Sequence, residues 1–128
     1  MEKIEIEASE NSPYILLDPQ AGRIVFKGSC YPENTFEFFQ PVISWLEVYV
    51  SSKRVELSVV EMQLTYFNSA TTQVLFDILE LLDQNRDKGV LVKWYYDTND
   101  PNGKEDFLDF SEEFPDLEIV AVAYEKKV

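Results

Sequence analysis

The chain has 128 residues, a size that fits one domain with a substantial hydrophobic core, and we predict a single domain over residues 1–128. Its 24 acidic residues outnumber its 11 basic ones, and the net charge of −13 disfavours nucleic acid and anionic membranes as partners. There is no histidine, and Cys30 is the one cysteine, which excludes an internal disulfide and every catalytic or zinc site that needs histidine. The charged N-terminus and the lack of a long apolar run predict a cytoplasmic protein without a membrane span.

The first part of the chain alternates apolar and polar residues, a pattern typical of β-strands. Strands are predicted over Lys3–Glu7, Tyr14–Leu17 and Arg23–Lys27. The turn-forming segment Asp18–Gly22 joins the second strand to the third, and these two are therefore predicted to form a β-hairpin. Residues 28–34 (GSCYPEN) are predicted to form a loop.

A long helix is predicted to follow, capped at its start by Asn34 or Thr35. Its apolar residues step by three and four along two neighbouring stripes, which indicates a wide buried face. The stripes comprise Phe36, Phe39, Ile43, Leu46 and Val50, and beside them Phe38, Val42, Trp45 and Tyr49. Pro41 lies inside this helix and predicts a kink or a break near Gln40.

The rest of the chain alternates strands and helices. Strands are predicted over Arg54–Tyr66, Val90–Tyr96 and Leu117–Tyr124, and helices over Ser69–Lys88 and Lys104–Phe114. In the second helix, Leu75, Ile78, Leu79 and Leu82 form the predicted buried stripe. The element order predicts an α/β layered domain, a mixed sheet with an N-terminal hairpin and three helices. Right-handed crossovers would make the second half of the sheet parallel.

Hydroxyl groups cluster at the predicted start of the second helix, in Ser69, Thr71 and Thr72. The carboxyl ends of strands are where open α/β sheets bind ligands and partners, and a helix N-terminus stabilises a phosphate through its N–H groups and its dipole. These hydroxyls are therefore candidate phosphorylation sites. On the residues alone, ordinary helix capping by Asn68 or Ser69 is the simpler interpretation.

The polar segment Asp97–Gly103 is predicted to be a solvated loop. As an EF-hand loop it would need different residues where Pro101, Asn102 and Leu108 stand, so no metal and no cofactor is predicted. Two rival classes remain open: a small enzyme that uses carboxylates and a metal, and a structural or assembly subunit.

Three segments, in this order along the chain, resemble the SiaC family of bacterial regulatory phosphoproteins. The first is Gly28–Asn34, which runs into Phe38–Pro41 and the Trp-Leu pair at residues 45–46. The second is Leu64–Ser69 and the third is Val92–Asp97. The resemblance extends over most of the chain, and these three segments are its most specific parts.

The resemblance implies a fold similar to that of STAS domains, the anti-sigma-factor antagonists, and a regulatory protein that is not an enzyme. It implies reversible phosphorylation by a Ser/Thr protein kinase and a PP2C-type phosphatase, and binding to a diguanylate cyclase in cyclic-di-GMP signalling and biofilm formation. The accepting hydroxyl, which in this family follows an Asn and is often a Thr, maps onto Ser69 after Asn68. Thr71 and Thr72 are the alternatives.

The expected partner surface surrounds the same strand–helix junction. It comprises Tyr66, Phe67 and Asn68, together with Tyr31, Glu33 and Asn34 of the preceding loop. Core packing is the alternative role for Tyr31 and Phe67. The alternative function is an anti-sigma-factor-antagonist-type or assembly-type binding module without phosphorylation control.

Overall fold

The computed structural model describes residues 1–52 and 55–126. The strands are β1 (Ile4–Ile6), β2 (Tyr14–Asp18), β3 (Arg23–Cys30), β4 (Ser58–Phe67), β5 (Val90–Asp97) and β6 (Glu118–Tyr124). The α-helices are α1 (Thr35–Ser52), α2 (Ser69–Gln84) and α3 (Gly103–Glu113), and a short 3₁₀ helix spans Arg86–Lys88. Within the described part of the chain, no helix is long and apolar enough to cross a membrane.

The six strands form one mixed sheet in sequence order, β1 to β6. The first three strands pair antiparallel, and β3, β4, β5 and β6 pair parallel. This arrangement confirms the predicted N-terminal hairpin, the three helices and the parallel second half. Each crossover moves one strand in the same direction, so right-handed crossovers place α1, α2 and α3 on the same face of the sheet.

The core lies between that face and the helices. Each of the central strands contributes alternate residues to it: Ile15, Leu17, Ile24, Phe26, Val60, Met62, Val92 and Trp94. The predicted stripe of α2 is confirmed, because Leu75, Ile78, Leu79 and Leu82 are all buried. At the other end of the core, Phe110 of α3 stacks on Trp94 with 4.7 Å between the ring centroids.

Helix α1 runs without a break through Pro41, so the break, one of the two alternatives predicted near Gln40, does not occur. Pro41 is exposed, and the Glu37 carbonyl that loses its helical partner there can bind water. The prediction that Phe36 is a core residue is wrong, because its side chain is 56% exposed. Phe36 lies about 100° around the helix from the centre of the stripe that Phe39 and Leu46 help to form.

The junction between β3 and α1 also differs. Strand β3 continues through Cys30, so the loop predicted to begin at Gly28 starts three residues too early. The strand is longer than predicted because it pairs in parallel with β4, and these long-range hydrogen bonds leave no local pattern in the sequence. Gly28 is opposite Leu64 and Ser29 is opposite Tyr66, so the pairing register skips Thr65. This irregularity is a β-bulge, a feature that changes the direction of the side chains that follow it.

The remaining boundaries shift by a few residues. Strand β4 begins at Ser58, and Arg54, where that strand was predicted to start, lies outside the described residues. Helix α2 ends at Gln84 instead of Lys88, because the Asn85 side chain donates to the Leu81 carbonyl oxygen at 2.8 Å and closes the last turn.

Candidate functional site

The start of α2 is organised by Asn68, its N-cap residue. The Asn68 side-chain oxygen accepts a hydrogen bond from the Thr71 N–H at 2.9 Å. The Asn68 carbonyl accepts from the Thr72 N–H at 3.0 Å, which is the first helical bond. Asn68 therefore has the capping role that the residues alone suggested, and it fixes the position of the first turn.

The three candidate hydroxyls have different surroundings. Ser69 is exposed at the first position of α2. Thr71 is fully buried, and its hydroxyl donates to the Cys30 carbonyl at 3.1 Å, so it ties α2 to β3. The Thr72 hydroxyl is half-buried and donates to the Asn68 carbonyl at 3.2 Å. The geometry favours Ser69 as a phosphate acceptor and disfavours Thr71, since a kinase needs to reach the hydroxyl.

Cys30 is a buried residue at the junction between β3 and α2, and its role there is in packing. Its side chain is buried, with the sulfur 3.5 Å from the Thr71 hydroxyl oxygen. Burial raises the pKa of the Cys30 thiol above its usual value, which keeps it protonated. Cys30 therefore packs as a small apolar residue in this core.

A cleft of about 600 Å³ lies beside Ser69, at the carboxyl ends of β4 and β5. One side is formed by the end of β4 and the start of α2, including Tyr66, Asn68 and Ser69. The other side is formed by the end of β5, the loop after it and the start of α3, with Tyr124 at the end of β6 and Lys126 just beyond it. This is the edge at which open α/β sheets commonly bind their ligands.

Three carboxylates line the second side of the cleft: Asp97, Asp100 and Asp106. Asp97 and Asp100 accept hydrogen bonds from the N–H groups two residues on, those of Asn99 and Asn102, at 2.9 Å each. Partial burial and the neighbouring carboxylates raise the pKa of Asp106. Among residues 1–52 and 55–126, no Cys, Asp and Glu side chains are grouped in a way that could hold a metal ion.

Two tyrosines form an exposed aromatic pair next to the cleft. Tyr31 and Tyr66 meet edge to face, with ring centroids 5.6 Å apart, and their side chains are 38% and 57% exposed. Phe67 is half-buried and contacts Phe110 of α3, with 6.2 Å between centroids. The structure therefore brings Tyr31, Tyr66, Asn68 and Ser69 together, and it gives Phe67 a partial role in packing.

Glu33 and Asn34 lie apart from this cleft. They line a separate shallow depression of about 360 Å³ near the start of α1, together with Glu37. The Asn34 amide donates to the Glu37 carboxylate at 2.6 Å, so Asn34 organises the first turn of α1. The sequence places these two residues on the expected partner surface only through their nearness to Tyr31 along the chain.

The sequence analysis missed the acidic side of the cleft. Asp97 and Asp100 were assigned to a solvated loop, and Asp106 was not singled out at all. The parallel pairing of β4 with β5 supplies the missing signal, since it places the loop after β5 beside the start of α2. That signal was present in the predicted topology.

Comparison with known proteins gives a consistent result. A family model described as SiaC family regulatory phosphoprotein matches residues 6–124. An uncharacterised protein of Pseudomonas aeruginosa strain UCBPP-PA14 is 34% identical over 99 residues, which cover 76% of this chain and 78% of that protein. The chain belongs to the SiaC family of regulatory phosphoproteins.

Two solved structures from Pseudomonas aeruginosa have the same fold. A chain in the crystal structure of the diguanylate cyclase SiaD in complex with its activator SiaC matches with a TM-score of 0.88 and 28% identity, covering 94% of this chain and 99% of that one. A structure of SiaC matches with a TM-score of 0.86 and 28% identity, covering 97% and 100%. Both confirm the mixed α/β fold expected from the resemblance.

Proposed function

We propose that this chain is a regulatory protein that binds a diguanylate cyclase and that phosphorylation of Ser69 controls the binding. The observation that carries the proposal is the exposed Ser69 hydroxyl at the N-terminus of α2, on the rim of the cleft and next to the Tyr31–Tyr66 pair. Thr72 is the second candidate acceptor, and burial removes Thr71 from the proposal.

The proposed partner is supported by the SiaD–SiaC complex, in which a chain of the same fold occurs. It is also supported by the exposed tyrosines, because tyrosine is enriched at the centres of protein–protein interfaces. In this proposal the unphosphorylated protein presents Tyr31 and Tyr66 to the cyclase and thereby takes part in cyclic-di-GMP signalling and biofilm formation. The protein itself catalyses no reaction and acts in the cytoplasm.

The proposed switch depends on charge. A phosphate on Ser69 would be stabilised by about 0.3–1 kcal/mol at the positive end of the α2 dipole, so the helix can carry it without unfolding. It would add a charge of about −1.5 to −2 beside the carboxylates of Asp97, Asp100 and Asp106. A partner that docks over this rim would have to desolvate that charge, and the complex is therefore weakened.

A Ser/Thr protein kinase would add the phosphate and a PP2C-type phosphatase would remove it. Incubation of the purified protein with ATP and a lysate of its source cells, followed by mass spectrometry, tests this part directly. We expect phosphate on Ser69 and none on Thr71. Phosphate on Thr72 alone would keep the switch and move its site by one turn of the helix.

The binding test compares Ser69→Ala, Ser69→Asp and the wild type for affinity to the diguanylate cyclase of the same cells and for cyclic-di-GMP production. We expect Ser69→Ala to bind as the wild type does, and Ser69→Asp to bind roughly tenfold or more weakly, because an unpaired buried charge at an interface costs more than about 1.4 kcal/mol. Ser44→Asp is the matched control, since Ser44 is an exposed serine in the middle of α1.

The outcomes separate the switch from the binding. If the phosphorylated protein binds the cyclase as tightly as the unphosphorylated one, the switch is wrong. If neither form binds the cyclase, the effector is wrong, and a binding module for another protein remains. Equal losses in Ser69→Asp and Ser44→Asp would show that added negative charge weakens binding wherever it is placed.

A further inference from the structure

The two edges of the sheet differ in how they are protected. Strand β1 is three residues long, and the charged residues Lys3, Glu5 and Glu7 alternate with its apolar ones, which discourages pairing with another strand. Strand β6 is seven residues long, and residues 119–124 (IVAVAY) contain no charge, proline or glycine. In the described part of the chain, β6 pairs with β5 alone, so its other edge is open.

The backbone of β6 shows which groups are available at the open edge. The Tyr124 carbonyl accepts a hydrogen bond from the Thr98 N–H at 2.8 Å, so the backbone of Tyr124 points toward the β5 side. Backbone groups alternate along a strand. Those of Ala121 and Ala123 therefore point outward, where a further strand would pair with them.

The side chains of β6 are complementary to those of a second β6 strand in the antiparallel direction. With Val122 opposite Val122 of the second copy, Val120 lies opposite Tyr124. Glu118 lies opposite Lys126, which follows β6 by two residues and whose backbone N–H donates to the Asp97 carboxylate at 3.5 Å. Opposite charges and aromatic–β-branched pairs are the cross-strand combinations that stabilise antiparallel sheets. Val120 and Tyr124 are also among the exposed large apolar residues of the chain.

This register satisfies the backbone as well. It pairs Ala121 with Ala123 of the second copy, so the outward N–H and C=O groups form the hydrogen-bonded pairs. Sliding the second strand by two residues in either direction separates Glu118 from Lys126 and Val120 from Tyr124. From these observations we propose that two copies of this chain associate through antiparallel β6–β6 pairing centred on Val122, joining their sheets.

The charge of the chain limits this association. Each copy has a net charge of −13, so two copies repel each other over longer distances than the two Glu118–Lys126 pairs act. A single pair of strands also buries less surface than the roughly 1,200 Å² of a standard stable interface. A weak dimer follows, and its dissociation constant should fall as salt screens the repulsion.

Sedimentation equilibrium of the purified protein, at about 0.01 to 1 mM and at low and high salt, measures this self-association without any partner. We expect a monomer–dimer equilibrium that shifts toward dimer with salt. Val122→Lys, which places two ammonium groups opposite each other, should abolish the dimer while the protein stays folded by circular dichroism. A wild type that stays monomeric throughout would overturn the proposal.

A charge exchange tests the register. Glu118→Lys and Lys126→Glu should each weaken the dimer, by roughly three- to tenfold, because each creates two like-charge pairs across the edge. The double variant restores opposite charges and should recover most of the loss. Failure of the double variant to recover would overturn this register, since independent effects on folding would add instead.

Disulfide formation gives a second readout. The pair at Val122 would be non-hydrogen-bonded, with Cα atoms about 4.5 Å apart, so Val122→Cys should cross-link under mild oxidation. In the same register two copies of Val120→Cys lie about 14 Å apart along the strand and should not. Cys30 is buried and leaves the background low. Equal cross-linking of both cysteine variants would contradict the proposal. The proposal would also be contradicted if the wild type is monomeric and Val122→Lys weakens only the binding of this protein to the cyclase.

Discussion

Replacement of Asn68 by alanine should destabilise the protein through a single lost hydrogen bond. The Asn68 side-chain oxygen holds the Thr71 N–H at 2.9 Å, and alanine has no group that can accept it. The Asn68 carbonyl bond to Thr72 belongs to the backbone and is kept in the variant. The variant therefore isolates the side-chain cap from the rest of the turn.

The size of the effect follows from the burial of this turn. N-cap replacements by alanine cost about 0.5–2 kcal/mol, and the half-buried position of Asn68 places this one near 1 kcal/mol. For a domain of this length, about 1 kcal/mol lowers the melting temperature by about 4 °C. The slope of the denaturant dependence should stay the same, because the surface exposed on unfolding does not change.

Urea unfolding followed by tryptophan fluorescence measures this free energy of unfolding, since Trp45 and Trp94 are both buried in the core. Asn68→Asp is the matched control: it keeps an acceptor at the same place and should stay within a few tenths of a kcal/mol of the wild type. Asn99→Ala, in the exposed loop after β5, should have no effect. If Asn68→Asp loses as much stability as Asn68→Ala, the capping role is refuted.

Two further variants test the cleft and a tight contact. Because burial and nearby carboxylates raise the pKa of Asp106, the folded state holds its proton to higher pH than the unfolded state, and the free energy of unfolding falls as the pH rises through that interval. Asp106→Asn should therefore be more stable than the wild type at neutral pH and should lose this advantage below the pKa that Asp106 has in the unfolded chain. An advantage that does not depend on pH would show that the Asp106 carboxyl is not the group responsible. Gly89→Ala should cost roughly 2–4 kcal/mol, because Gly89 has φ +86° and its new Cβ would overlap the Glu56 carbonyl oxygen. Gly28→Ala, at φ +114° with its new Cβ only in ordinary contact with the Pro13 Cα at 3.9 Å, should cost less in the same unfolding assay, and equal losses would show that the Glu56 contact is unimportant.

The element order was predictable because each element has a local signature. The alternation in the first strands, the three- and four-residue spacing of α2 and the turn residues between them are all short-range patterns. Right-handed crossovers then led from element order to the parallel half of the sheet. The Ser69 junction followed from the same reasoning, since it places a hydroxyl where a strand ends and a helix begins.

The predictions that were wrong, those for Phe36 and for the end of β3, share a different cause. Phe36 belongs to an apolar stripe in the sequence, and only the position of α1 over the sheet leaves that side chain exposed. The last residues of β3 look like a loop because their hydrogen bonds go to β4, more than thirty residues away in the chain. Boundaries of this kind depend on a partner strand, which no window of local sequence contains.

The sequence by itself determined the kinds of elements, their order, the exclusion of histidine chemistry and the candidate hydroxyls. The tertiary structure decided which hydroxyl is accessible: Thr71 turns into the core against Cys30, and Ser69 faces solvent. It also brought the Asp97–Asp106 side of the cleft next to Ser69, and it left the uncharged strand β6 at an open edge. These three outcomes depend on packing between distant segments, whereas the sequence pattern reports the preferences of each segment alone.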